Sequence, residues 1–375
     1  MLSYRQLALL IAISSCLVGT SCRKTQAAAR LDSQALLQIA REYRPSNRAN
    51  PVLAAAPLTE KRQASAEPLQ TEQEYESPIK QYFSQGNFDQ LEKAASEARD
   101  KKDRVVGGVW KIFDFYDAVN KTFIGEHPDE SDWKTYLDLV KQWVAAKPES
   151  ATARISLAQA YLGYAWQARG GGYANTVTNE SWELYVERVA LAGATLAEAA
   201  RLRQKCPYWY EMMQNVALAQ GWDKSQARQL MDQAVASEPG YYHYYREYAN
   251  FLQPKWYGDS GEVETFAEEV SDRVGGPEGE FLYFEIASLV ACQCDSEKTA
   301  LQNMSWPKIK RGYVALEQLY GVSNLKRNRF ASMAFKAEDK PAAREAFLQM
   351  GDEWEKKVWM SSEKFENAKA WATSD

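Results

Sequence analysis

Few side chains in this sequence have the types and spacing that chemistry requires. Its soft ligands are five cysteines and two histidines, His127 and His243. Three of the cysteines, Cys206, Cys292 and Cys294, fall in the part of the chain with globular composition. A structural zinc site takes four Cys or His ligands, and a Cys-x-Cys without a second pair does not supply them. Three readings stand for these thiols: buried free sulfhydryls, a disulfide, or a metal site. Cys292 and Cys294 would close a strained ring on each other, so the candidate disulfide joins Cys206 to one of that pair, Cys294. Arg169-Gly170-Gly171-Gly172-Tyr173 lacks the preceding strand and following helix of a phosphate-cradling loop. It is either a flexible helix connector or a bare-backbone loop that a partner can approach, with Arg169 as a fork for a carboxylate. The turn Lys255-Trp256-Tyr257-Gly258 carries the same ambiguity, between a tryptophan packed over helix ends and one that meets a ligand or partner. His243 sits among tyrosines with no nucleophile marked for it, so it reads as a helix-face residue. The carboxylate pairs Glu262/Glu264 and Glu268/Glu269 lie where solvated helix faces would place them. There is no Gly-x-Ser-x-Gly elbow, no His-Glu-x-x-His and no nucleotide fingerprint. The sequence therefore nominates no catalytic residue, no cofactor and no metal ligand set.

The elements that must position these groups are helices. In the stretch from Pro239 to Glu262, Tyr242, Tyr245, Tyr248, Ala249 and Leu252 recur along one face of a 3.6-residue helix. Pro254 and Gly258 close that helix, and Asp259 with Glu262 reads as a capping box for the next. Pro239 follows Pro207 by 32 residues, and Pro277 follows Pro239 by 38. Each interval holds two short helices and a turn, near the ~34-residue period of tetratricopeptide repeats. Upstream, the pattern predicts helices over 105–123, over 132–146 with Ser131 as N-cap, and over 180–204. No stretch sustains period-2 alternation. The expected fold is all-α, a right-handed superhelix of antiparallel helix pairs (a tetratricopeptide-like α-solenoid) with no significant sheet.

Composition bounds the partners. Lys+Arg number 45 against 50 Asp+Glu, a formal net charge of −5 with no long basic block. Phosphate neutralisation needs clustered Lys and Arg, so nucleic acid is excluded as a partner. Aromatic residues are abundant, with 21 Tyr and 12 Trp beside 13 Phe. Rings with a polar tip suit helix stacks and interfaces equally well.

Residues 1–21 carry one positive charge, Arg5, and then an apolar run too short and Ser-rich to stay in a bilayer, as a secretory signal does. Gly19-Thr20-Ser21-Cys22 resembles a bacterial lipobox, with Cys22 as the lipidated residue. Ile13-Ser14-Ser15-Cys16 is the alternative, and an ordinary cleaved signal is a third reading. Residues 22–77 are rich in Ala, Gln and Pro and read as a disordered tether, although 31–43 could form one amphipathic helix. The helical domain is expected over 78–375.

Three segments carry a resemblance to a known family: ARGGGYANTVTNESWELYVERV, YYHYYREYANFLQPKWYGDSGE and NRFASMAFKAEDKPAAREAF. With them the chain from about Tyr82 to Ala372 resembles bacterial domain-of-unknown-function family 4034. The resemblance implies a tetratricopeptide-like helical domain in an exported protein, and it brings no catalytic residues. Arg169, Gly172, Tyr173, Lys255, Trp256 and Gly258 match its most recognisable motifs and are the candidate binding residues it implies. Together these readings describe a lipid-anchored scaffold of the bacterial cell envelope, facing the periplasm or on the outer membrane. It would touch the membrane through its N-terminal lipid alone and bind a protein or peptide. The alternative is an all-α enzyme acting on envelope glycans through two carboxylates.

Overall fold

The computed structural model describes residues 31–43, 69–125, 128–293, 301 and 303–374. Seventeen α-helices and no strand lie among the described residues. After α1 (Ser33–Glu42) come α2 (Glu72–Ser84), α3 (Phe88–Lys101), α4 (Lys111–Lys121) and α5 (Glu130–Ala146). The long helices α6 (Ala151–Arg169) and α7 (Asn179–Arg201) follow, then α8 (Pro207–Gln220), α9 (Lys224–Ser237), α10 (His243–Phe251) and α11 (Glu262–Val274). The chain finishes with α12 (Gly276–Gln293), α13 (Trp306–Tyr320), α14 (Asn324–Lys336), α15 (Lys340–Met350), α16 (Lys356–Trp359) and α17 (Ser362–Thr373). No described helix is long and apolar enough to cross a membrane.

From α5 to α13 each helix packs on the next. The even-numbered helices also touch one another in order, α2 on α4, then α6, α8, α10, α12 and α14. Successive helix pairs thus pack against one another, as helical repeats require. Local sequence explains the boundaries. Pro207 occupies the first turn of α8, where its missing N–H costs nothing, and Gly221 ends that helix in the left-handed region. The helix expected over 105–123 starts only at Lys111, because Gly107 and Gly108 turn the chain at φ 93° and 79°. The N-cap of α5 is Asp129 rather than Ser131. Its carboxylate accepts from the Ser131 and Asp132 N–H groups, and Asp132 reaches back to the Asp129 N–H. Glu262 does accept from the Asp259 N–H (2.8 Å), yet α11 opens two residues later than expected, after Gly261 at φ 87°.

Helix α10 explains the tyrosine excess. Tyr244, with Tyr241 just before the helix, belongs to the core built from α1–α9, where Tyr210 also lies. Tyr242, Tyr245, Tyr248, Ala249 and Leu252 belong to the core built by the following helices. One short helix is therefore buried on two faces between two cores. Tyrosine suits that position, since it fills volume with its ring while its hydroxyl finds a polar partner at the edge. The Tyr244 hydroxyl, for example, donates to the Pro207 carbonyl (3.1 Å).

Two parts of the 22–77 tether are helical and packed. Helix α1 lies across α7, α8 and α9 and buries Leu36, Leu37, Ala40 and Tyr43. Tyr43 stacks on Trp209 at 4.0 Å, and its hydroxyl accepts from the Cys206 N–H (2.9 Å). Helix α2 opens at a capping box formed by Thr71 and Glu74, so the stack begins there rather than at 78.

Candidate functional site

The two motifs that stood apart in sequence are brought together through Trp166. Trp166, near the end of α6, sets its ring edge-on against Trp256 in the turn after α10, with centroids 5.6 Å apart. Tyr185 of α7 meets the same Trp166 ring at 5.1 Å, and Trp182 meets Tyr185 at 5.5 Å. Arg169 lies between two of these rings, its guanidinium carbon 5.9 Å from the centroids of both Trp166 and Trp182. From there its Nη1 donates to the carbonyls of Gly172 (2.6 Å) and Gly170 (3.1 Å). The fork that sequence offered to a ligand carboxylate is thus turned onto its own loop. The glycine loop is braced, and it holds Tyr173 with 78% of its surface exposed. Lys255 is exposed beside the Trp256 ring, 5.9 Å from its centroid.

The two candidate glycines differ. At Gly258 an added Cβ would lie 1.7 Å from the Leu252 carbonyl oxygen, so this glycine lets two backbone segments meet in the turn. Its role is structural. An added Cβ at Gly172 would meet only the Thr176 hydroxyl, a side chain that can move. Of the remaining sequence candidates, Cys22, Cys16, His127 and Cys294 lie outside the described residues. Cys206 is a free, buried thiol 3.6 Å from the Tyr116 hydroxyl, and burial pushes it above the ordinary thiol range.

Sequence reasoning missed a second constellation, on the row of even helices. The Tyr241 hydroxyl donates to Glu211 of α8 (2.5 Å). Burial, with the charge of Glu247 on α10 behind it, raises the Glu211 carboxyl well above its usual range. Burial likewise moves Glu247 up to about 7. His243 stacks on Phe113 of α4 at 4.0 Å, and burial and then Arg246 hold its imidazole well below its usual value, hence neutral. Further along, Glu285 of α12 takes both Lys326 of α14 and Arg246 of α10, the latter at 2.6 Å. None of these residues forms a local motif. Their only sequence signal is a charge inside an otherwise apolar helix, such as Glu211 in Tyr-Trp-Tyr-Glu-Met-Met. By contrast Glu262, Glu268 and Glu269 pair with Lys224, Lys308 and Arg228 on half-exposed faces.

What this arrangement can do is limited by access. Glu211 is 3% exposed, so it cannot reach a substrate oxygen as the chain stands. Two open depressions lie elsewhere: one of about 550 Å³ beside Lys224, Tyr248 and Phe266, the other beside Glu92, Pro148 and Arg203. Compared with known protein families and with curated proteins, the chain matches none.

Proposed function

We propose that this protein is a helical-repeat scaffold that binds a protein or peptide, with Tyr173 as an anchor and the Trp166–Trp256 cluster as its base. One observation carries the reading: an almost fully exposed tyrosine stands on a loop already fixed by Arg169. Binding through a preorganised aromatic side chain avoids the entropic cost of ordering the loop, and tyrosine and arginine are enriched among binding hot spots. In this reading Cys22 carries the lipid that holds the scaffold at the bacterial envelope after export. The membership of domain-of-unknown-function family 4034 suggested by sequence is compatible with it and adds no ligand. For the enzyme alternative the raised carboxyls of Glu211 and Glu247 are candidates, and the burial of Glu211 favours binding over hydrolysis.

The test places a photo-reactive phenylalanine analogue at Tyr173 in the full chain, expressed in a bacterial envelope, with the same probe at Leu348 as control. Leu348 is 71% exposed and remote in sequence. The expected result is a discrete protein adduct from position 173 that is lost in an Arg169→Ala background. Equal, diffuse labelling from both positions would refute the proposal.

A further inference from the structure

Helices α2 and α4 bring three carboxylates together. Glu72 and Glu76 stand four residues apart on one face of α2, and Asp114 faces them from the first half of α4. One oxygen from each lies within 4.8 Å of the other two, the one such grouping among the described residues. Two of the three have partners. Lys121 reaches Glu72 (3.2 Å), Glu76 (2.9 Å) and Asp117 (2.6 Å), and Lys80 reaches Glu76 (2.5 Å). Asp114 has none. It is 1% exposed, and neither of its carboxylate oxygens has a hydrogen-bond partner. The hydroxyl of Tyr75, on the same helix face as Glu72 and Glu76, is also buried without a partner.

A buried carboxylate without donors is costly, and native structures reserve such groups for a purpose. Counting the cluster, Glu72, Glu76, Asp114 and Asp117 set four negative charges against the two positive charges of Lys80 and Lys121. Two negative charges are left over, which one divalent cation would balance. Size narrows the choice. Calcium binds oxygen at ~2.3–2.6 Å, so two oxygens on one ion can stand up to about 5 Å apart, whereas magnesium at ~2.0–2.1 Å allows about 4 Å. The three oxygens lie within 4.8 Å of one another, inside the reach of one calcium ion, and magnesium, which keeps several of its waters, suits a buried site less. Carboxylate oxygens are also the ligands that calcium prefers.

We propose that Glu72, Glu76 and Asp114 form a calcium site that clamps α2 to α4 at the start of the helix stack. The clamp joins the first two helices of the even-numbered row.

The test is thermal unfolding of the full chain in EGTA and in millimolar CaCl₂, with terbium luminescence as a direct binding readout. The wild type should show a saturable rise in Tm with calcium, and calcium should displace bound terbium. Asp114→Asn should lose both effects. Should that variant fail to fold, Glu72→Gln alters a side chain 37% exposed and should weaken calcium at least tenfold. The proposal is overturned by a wild-type Tm indifferent to calcium, by an unchanged affinity in Glu72→Gln, or by an equal response to magnesium at the same concentration.

Discussion

Glu285 sits in a buried network with Lys326 and Arg246, and removing the acid and removing Lys326 should differ in cost. Its carboxylate takes Lys326 on both oxygens and Arg246 at 2.6 Å, and it is itself 5% exposed. Desolvation opposes its charge, but the attraction of Lys326 and Arg246 wins and holds it down at about 2. Lys326 is the loser of the same balance: burial, with Arg246 and Arg329 nearby, pulls it down to about 8 despite Glu285. A carboxyl shifted from its ordinary value of 4.5 to about 2 carries on the order of 3 kcal/mol of folding stability at neutral pH. Removing one partner of a buried pair costs roughly 3–5 kcal/mol, since a charge is left without a counter-charge. Glu285→Gln should therefore destabilise by about 3 kcal/mol or more. Lys326→Met should cost clearly less, because Glu285 keeps Arg246 and a costly ammonium is gone. The assay is guanidinium denaturation of wild type and both variants between pH 2 and 10. Because the folded pKa of Glu285 is depressed, its contribution is present above about 4.5 and lost as pH falls toward 2, a loss that Glu285→Gln should not show. For Lys326 the folded pKa is also lower than the unfolded one, so wild-type stability should rise between about 8 and 10.5, and Lys326→Met should lack that rise. If Lys326→Met costs as much as Glu285→Gln, the account of one acid serving several cations is wrong.

Three further expectations concern the turns and the last helices. Gly258→Ala should destabilise on the order of 3 kcal/mol, because its Cβ would meet the Leu252 carbonyl at 1.7 Å and neither side is flexible. Gly171→Ala, with nothing within 4 Å and an ordinary φ, should leave Tm within about a degree or raise it slightly. Asn328 is fully buried; it donates to the Asn324 and Glu353 carbonyls and accepts from the Glu355 N–H and the Trp359 indole. Asn328→Leu should strand those groups at a cost of about 2–4 kcal/mol. A change in Trp359 fluorescence should accompany it, and an unchanged Tm would contradict that reading.

The amino-acid order by itself determined the helices and which face of each is apolar. The period-3.6 run through Tyr242, Tyr245, Tyr248, Ala249 and Leu252 marked the residues that enter the second core. Pro207 and Gly221 marked the ends of α8. These are local effects, set by backbone sterics and by hydrophobic spacing within one or two turns. Capping was less legible, since Asp129 and Ser131 can each cap and only the path of the chain chose between them.

Tertiary structure decided what periodicity cannot encode, namely which side chains meet across distance in the chain. Sequence singled out the loop at Arg169 and the turn at Trp256, but only the fold joined them, through Trp166. It also turned Arg169 inward onto its own loop carbonyls. Glu211, Glu285 and Asp114 gave little warning, because a lone acid in a helix becomes unusual only once neighbouring helices remove its water. That desolvation is a property of packing. It depends on every helix in the stack, and no window of residues contains it.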